Sequence, residues 1–333
     1  MTAPTEPTAS ATTSASTSAT STRRTAPTTS TASTASTPGV DVLRYSAFTT
    51  RPDGGNPAGV VRDAAAVADD DAAMTAIAAR IGYSETAFIT ERDETARRYR
   101  LRYFSPLAEV AFCGHATIAT AVALAERDGP GELVFDTASG EIRVETTADG
   151  DGPPRATLTS VPTRSRPADP GTELEPTLAA LGWSADDLDP ALPPHVAFAG
   201  NDHLVLAAAT RERLADLDYD FDALDAVMRR RGWTTVHLVW RETAEGEGST
   251  DRFVFHARDP FPVGGVVEDP ATGAAAAAFG GYLRVLGLVG GQTRVRIRQG
   301  EDMGRPSDLL LDVTPDDPRA RVSGQAVPIP RTA

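Results

Sequence analysis

Phe104 to Glu126 reads FSPLAEVAFCGHATIATAVALAE, and Phe261 to Leu283 reads FPVGGVVEDPATGAAAAAFGGYL. In each stretch a proline-containing loop leads to a glycine, Gly114 or Gly273, and then to a run of small apolar residues. Those runs, ATIATAVALA and AAAAAFGGYL, have almost no polar face, and a helix that is apolar all round is normally buried. A buried helix wrapped by short strands, present twice, predicts an α+β fold of two pseudo-symmetric lobes and argues against a parallel α/β sheet. The repetition extends upstream: an arginine, aromatic residues and a proline span Arg102 to Pro106 and again Arg258 to Pro262.

Around these two helices the chain reads as short strands bounded by turn residues: VDVLRYSAF, ELVFD, EIRVETT, RATLTSV, HVAFAG, HLVLAAA, TTVHLVW, RFVFHAR, TRVRIRQ and DLLLDV. Two further helices carry acids at the start, arginine near the end and a glycine stop, DDDAAMTAIAARIG and FDALDAVMRRRG. Residues 2 to 38 are almost entirely Thr, Ser, Ala and Pro and cannot bury enough apolar surface to offset the entropy of ordering. The expected organisation is therefore a disordered tail over 1–38, an N-terminal lobe over 39–162 and a C-terminal lobe over 163–333, whose last strands are free to return to the first lobe. The boundary is placed in the turn-rich PTRSRPADPGT.

Composition excludes several functions. All 32 basic residues are arginine. With no lysine there is no Schiff base for pyridoxal phosphate and no GK[ST] phosphate loop. A net charge of -14 argues against nucleic-acid binding. GGNPAG lacks the strand, GxGxxG and helix context of a dinucleotide site. One cysteine rules out an internal disulfide, and the histidines (His115, His195, His203, His237 and His256) show no metal-ligand spacing, so no metal is expected. The Arg23–Arg24 pair is not followed by the apolar run of an export signal, and no segment reaches the roughly 18 apolar residues of a spanning helix. The expected location is cytoplasmic, with no membrane partner.

The chemistry-bearing residues are few. Helix starts have N–H groups without intrahelical partners and favour negative charge, so Gly114 and Gly273 mark a place for a substrate carboxylate, or else glycines that permit close packing. If YSETAFIT is a strand, Glu85 shares a face with Ala87 and Ile89, where desolvation raises a carboxyl pKa toward the range of a general acid or base. The alternative is a solvated strand-edge glutamate. His115 lies in the first turn of its helix, where the dipole disfavours its protonated form. Asp269 is placed to cap the second helix. Cys113 beside a helix N-terminus is expected to have a lowered pKa. The matching place before the second helix holds no cysteine, so a symmetric two-thiol racemase is unavailable.

Taken in order from about residue 44 to 313, YSAFTTRPDGGNPAGVV, GYSETAFI, LRYFSPLAEVAFCGHATIA, GVVEDPATGAAAAA and RQGEDMGRPSDLLLDV resemble the phenazine-biosynthesis isomerase (PhzF-like) family, related in fold to diaminopimelate epimerase and proline racemase. The resemblance implies lobes that are each a barrel-like sheet around a central helix, an active site between them, a homodimer, and neither metal nor organic cofactor. It implies Glu85 as acid/base, His115 and Asp269 as its pocket partners, and substrate contacts from Ser84, Asn56, Gly114, Gly273 and Ala274. Many members carry serine where this chain has Ala274, so a hydroxyl contact is lost. The implied activity is a cofactor-independent isomerase of secondary metabolism that moves a proton and a double bond in a small carboxylate. Alternatives are a binding or self-resistance protein without turnover, and a one-base epimerase or dehydratase.

Overall fold

The computed structural model describes residues 40–242 and 253–330; the Thr/Ser/Ala-rich tail lies outside them. The first half runs β1 (Leu43–Ala47), β2 (Asn56–Val61), α1 (Asp71–Ile81), β3 (Glu85–Asp93), β4 (Arg98–Phe104), β5 (Glu109–Val110), α2 (Gly114–Asp128), β6 (Gly131–Thr137), β7 (Gly140–Asp149) and β8 (Gly152–Thr159). The second runs β9 (Arg164–Pro167), α3 (Glu175–Leu181), β10 (His195–Phe198), β11 (Asp202–Ala207), α4 (Arg211–Ala215), α5 (Phe221–Arg231), β12 (Trp233–Glu242), β13 (Phe253–Pro260), β14 (Glu268–Asp269), α6 (Gly273–Val285), β15 (Thr293–Gln299), β16 (Ser307–Val313) and β17 (Arg321–Pro328).

The two small-residue helices are buried as their composition requires. Every residue of α2 from His115 to Ala125 is buried, as is every residue of α6 from Ala275 to Leu283. Small side chains let the sheets close tightly round them: a Cβ on Gly280 would stand 2.6 Å from Val313 Cγ1, and one on Gly281 2.7 Å from Thr163 Oγ1. Strands β1, β2, β3, β4, β6, β7, β8 and β17 pair in sequence and return to β1, closing a barrel around α2. Strands β9, β10, β11, β12, β13, β15, β16 and β17 pair one after another around α6 as an open, barrel-like sheet, so β17 is common to both lobes. β2, which begins inside the GGNPAG segment, β4, β9, which lies within the PTRSRPADPGT read as turns, β17 and the two-residue β5 and β14 are strands that the sequence patterns did not reveal.

The repetition holds at the level of register. Phe88 of β3 stands opposite Arg102 of β4, and Leu238 of β12 opposite Arg258 of β13. Tyr103 then faces Val110, as Asp259 faces Asp269. Four residues beyond Val110 and Asp269 come Gly114 and Gly273, which open the helices. Counting back three residues from Phe88 and Leu238 places Thr235 at the position of Glu85. In both lobes a two-toothed arginine–carboxylate fork ties the short strand down: Arg102 to Glu109 at 2.8 and 2.7 Å, Arg258 to Glu268 at 3.0 and 2.6 Å.

The forks differ in burial. Arg258 and Glu268 side chains are 10% and 4% exposed, against 21% and 35% for Arg102 and Glu109. Removing one partner of a buried pair strands the other charge in a medium of low polarity and costs about 3–5 kcal/mol, whereas an exposed pair contributes about 0–1 kcal/mol. Urea unfolding should therefore show Arg258→Met losing several times more stability than Arg102→Met. Equal losses would mean that the second fork is not the buried clamp of β14.

Candidate active site

Helix α1 ends at Gly82, whose left-handed φ of 74° stops the helix and turns the chain into β3. Glu85 opens that strand on the face of Ala87 and Ile89, both packed in the core cluster that contains α2, and its side chain keeps 17% exposure. Across from it, Cys113 and His115 flank Gly114 at the start of α2. Glu85 Oε2 lies 3.4 Å from His115 Nε2 and 3.6 Å from Cys113 Sγ, and Ser84 Oγ lies 3.4 Å from the same Nε2.

The second lobe meets this group through Asn56, the first residue of β2. Its amide nitrogen stands 2.8 Å from Asp269 Oδ1, 3.1 Å from the Ala271 carbonyl and 3.2 Å from His115 Nδ1. The amide nitrogen has two hydrogens, which go to the nearer Asp269 and Ala271 oxygens, so His115 Nδ1 rests beside it while Nε2 faces Glu85 and Ser84. The turn before Asn56 is held from the far end of the chain. Arg305 donates to the Gly55 carbonyl at 2.8 Å and to the Gly54 carbonyl at 2.7 Å, while Gly55 takes a φ of 66° with its N–H on the Pro306 carbonyl. Arg305 lies within RQGEDMGRPSDLLLDV, the last of the matched segments, but nothing in its local pattern marks it as a clamp on residues 250 positions away.

Asp269 does not cap α6. Its Oδ2 accepts from the Thr272 hydroxyl at 2.6 Å, its Oδ1 from Asn56, and its backbone carbonyl from Gln299 at 2.7 Å. Thr272 and Gln299 are site residues missed at the level of sequence, because only the closing of β15 against the start of α6 brings them in. Burial pushes the Asp269 carboxyl up to about 7; the Asp259 and Glu85 carboxylates add to this, and the bonds from Thr272 and Asn56 oppose it. Burial lowers the His115 pKa against the pull of Glu85. Cys113 behaves opposite to expectation: burial and the Glu85 carboxylate push its thiol well above its ordinary value, outweighing the helix terminus.

Glu85, Cys113 and His115 are metal-ligand types whose donor atoms all lie within 4.8 Å of one another, a grouping invisible in their spacing. The sulfur is 3.4 Å from Nδ1 and 3.7 Å from Nε2, so it sits beside the ring and not along either nitrogen's lone pair. An ion shared by thiolate and imidazole would need the ring to turn away from Asn56. As arranged, the trio is a cluster of titratable side chains within hydrogen-bonding reach of one another.

Gly114, Gly273 and Ala274 line a cleft of about 720 Å³ together with Phe48, Phe112 and Asn201. The first intrahelical bonds come from Thr117 and Ala276, which leaves the N–H groups of the residues before them free of helical partners. A Cβ at Gly114 would meet nothing within 4 Å, and one at Gly273 only the Phe48 ring at 3.4 Å, so packing within the chain does not demand glycine at either place. Two helix starts and the Glu85–Cys113–His115 trio thus meet at the junction of two barrel-like lobes.

Comparison with known proteins specifies the class. Residues 45–331 match the model of the phenazine biosynthesis-like protein family. An uncharacterized isomerase of Mesorhizobium japonicum is 32% identical over 301 residues, covering 86% of this chain and 96% of that protein. An uncharacterized isomerase of Escherichia coli K12 is 32% identical over 294 residues, covering 86% and 95%. The crystal structure of a Bacillus anthracis phenazine biosynthesis protein of the PhzF family superposes with a TM-score of 0.76 at 25% identity, over 87% of this chain and 97% of the other. A hydroxyproline epimerase of Agrobacterium vitis shares the fold, with a TM-score of 0.54 at 11% identity over 86% and 88%. The chain belongs to the phenazine biosynthesis-like (PhzF) family, and it is an isomerase. Among the described residues no helix is long and apolar enough to cross a membrane.

The raised Asp269 carboxyl has a consequence for stability. The folded protein holds this proton up to about pH 7, while the unfolded chain releases it near its ordinary value of 3.8. Between these limits the native state binds more protons, so the stability this group contributes is fully present below pH 3.8 and is lost as pH rises toward 7. Urea midpoints measured from pH 4 to 7 should fall more steeply in the native protein than in Asp269→Asn. Parallel curves would show that the carboxyl is not raised.

Proposed function

We propose that the chain is a cofactor-independent isomerase in which Glu85 carries a proton between two carbons of one substrate. The carbon is activated by a carboxylate or enamine. Its C–H bond breaks as the Glu85 carboxylate takes the proton, and the electron pair moves into the conjugated system. Glu85 then returns the proton to another carbon on the same face, so the double bond has moved and no electrons are gained or lost. The observation that carries this reading is the Glu85–His115 contact of 3.4 Å next to Gly114, whose helix start lines the cleft shared with the second helix start.

The other roles follow from their surroundings. The free N–H groups behind Gly114 and Gly273 hold the substrate carboxylate, as unpaired helix N-termini do. His115 and Ser84 orient Glu85, and Asp269 in its protonated form donates to the substrate. The cleft walls Phe48, Phe112, Ile142, Leu158 and Val322 favour a carboxylate with an apolar body over a small polar amino acid. Ala274, without a hydroxyl at the cleft, removes one polar contact and favours the same choice. It also motivates the rival reading of a binding protein without turnover.

The test is proton exchange in deuterated water, followed by mass spectrometry over unsaturated amino and hydroxy acids with apolar rings or tails. Deuterium should enter a substrate with the native protein, and Glu85→Gln should lower the rate about 10²- to 10⁴-fold. Exchange undiminished in that variant removes Glu85 from the mechanism. Ligand-induced melting shifts with no exchange from any acid would establish the binding protein instead.

A further inference from the structure

Behind Asp269 the second lobe buries a chain of polar groups that packing alone does not call for. Asp259 is fully buried in β13. It accepts from the Thr235 hydroxyl at 3.1 Å and stands 3.0 and 3.1 Å from His237 Nδ1, while His203 Nδ1 lies 2.8 Å from the same hydroxyl. With its hydrogen given to Asp259, the Thr235 oxygen accepts from His203. The His237 ring meets Phe279 edge-on at 5.4 Å, and its Nε2 is buried with no hydrogen-bond partner. A hydrogen there would be a second buried donor without an acceptor, so the ring donates from Nδ1 and leaves the negative charge of Asp259 in place.

The register aims this charge. Asp259 is directly opposite Asp269 across the β13–β14 pair, and Pro260 opposite Glu268. Side chains alternate along a strand, so the Arg258–Glu268 fork occupies one face and the two aspartates share the other. The equivalent pair in the first lobe is Tyr103 and Val110, both uncharged, with the Tyr103 hydroxyl spent on Thr117 at 2.6 Å. The scaffold thus accepts a neutral pair at this place, and only the lobe that carries Asp269 has a buried carboxylate behind it. The groups facing Asp269 are Asn56 from β2, Thr272 at the start of α6, the Gln299 side-chain amide on the Asp269 backbone carbonyl, and the Glu85 and Asp259 carboxylates.

We propose that Asp259, fixed by His237 and Thr235, is a positioning residue whose buried charge is aimed at Asp269, so that Asp269 meets the substrate as a hydrogen-bond donor while Glu85 accepts a proton. Two carboxylates on one face of paired strands repel each other: Asp259 is held as an acceptor by the Thr235 hydroxyl and the His237 ring, and its charge adds to the effect of burial in raising the Asp269 carboxyl. The proposal builds on Asp269 as a substrate-facing group, and its test needs no turnover, so it can fail while Glu85 keeps its role.

The measurement is a carboxyl-¹³C NMR titration of the full chain labelled at aspartate, with Asp269 assigned by the signal lost in Asp269→Asn. In the native protein Asp269 should titrate near 7, and the Asp259 signal should respond across the same step because the two charges are coupled. In Asp259→Asn or Asp259→Ser, whichever keeps native near-ultraviolet dichroism, the midpoint should fall by about one unit or more, a tenfold loss of proton affinity. His237→Gln keeps both the charge and a donor and should leave the midpoint within a few tenths. An unchanged midpoint in a folded neutral variant, or an Asp259 signal indifferent to Asp269 in the native protein, overturns the proposal.

Discussion

One amide nitrogen joins the two halves of the site. Asn56 belongs to the first lobe, yet its nitrogen donates to Asp269 and to the Ala271 carbonyl of the second while facing His115 of the first. It is 1% exposed, so water cannot replace these bonds if it is lost. Arg305 fixes the turn that presents it, tying the loop between β15 and β16 to the loop between β1 and β2. Without this tie, Glu85 and His115 on one side and Asp269 on the other would be two partial groups on separate barrels. With it, Glu85, His115 and Asp269 form one connected group.

The lobes share a register but not a chemistry. Thr235 stands where the first lobe has Glu85, Asp259 where it has Tyr103, and Asp269 where it has Val110. The two halves of one repeated plan thereby carry different titratable groups at matching places. Cys113 differs again: buried beside Glu85, its thiol is held in the neutral form. An asymmetric pair suits a reaction in which one proton leaves and returns on one face, whereas stereochemical inversion favours groups on opposite faces.

What was legible in the sequence is what depends on local pattern. Helices α2 and α6 announce themselves because a helix without a polar face has nowhere to go but the core. Helices α1 and α5 carry their stops in sequence, with Asp70 and Asp220 accepting from the first turn and Gly82 and Gly232 in left-handed conformation at the end. Strand β4 escaped notice although Arg98, Arg100 and Arg102 alternate with the buried Tyr99, Leu101 and Tyr103; its three arginines obscured the period of two. Strand β17 reads RVSGQAVP and looks like a loop, yet it pairs with β1, β8 and β16 and closes the first barrel. Glu85, His115 and Asp269 were found from their motifs, and the structure brings them together through Asn56. The state of Cys113 was misread because a helix start was visible in sequence while burial against Glu85, 28 residues away, was not. His237 and Asp259, 22 residues apart, become partners only when β12 pairs with β13.

The central claim, that catalysis needs both lobes joined at Asn56, is tested most directly by replacing that residue with leucine, which keeps the volume and removes the donor. Proton exchange should be measured with an acid that the native protein exchanges, alongside thermal unfolding. The account predicts a folded protein whose exchange rate has fallen about a hundredfold or more, since misplacing a catalytic group by about 1 Å can cost that much. Exchange at the native rate in folded Asn56→Leu would contradict it.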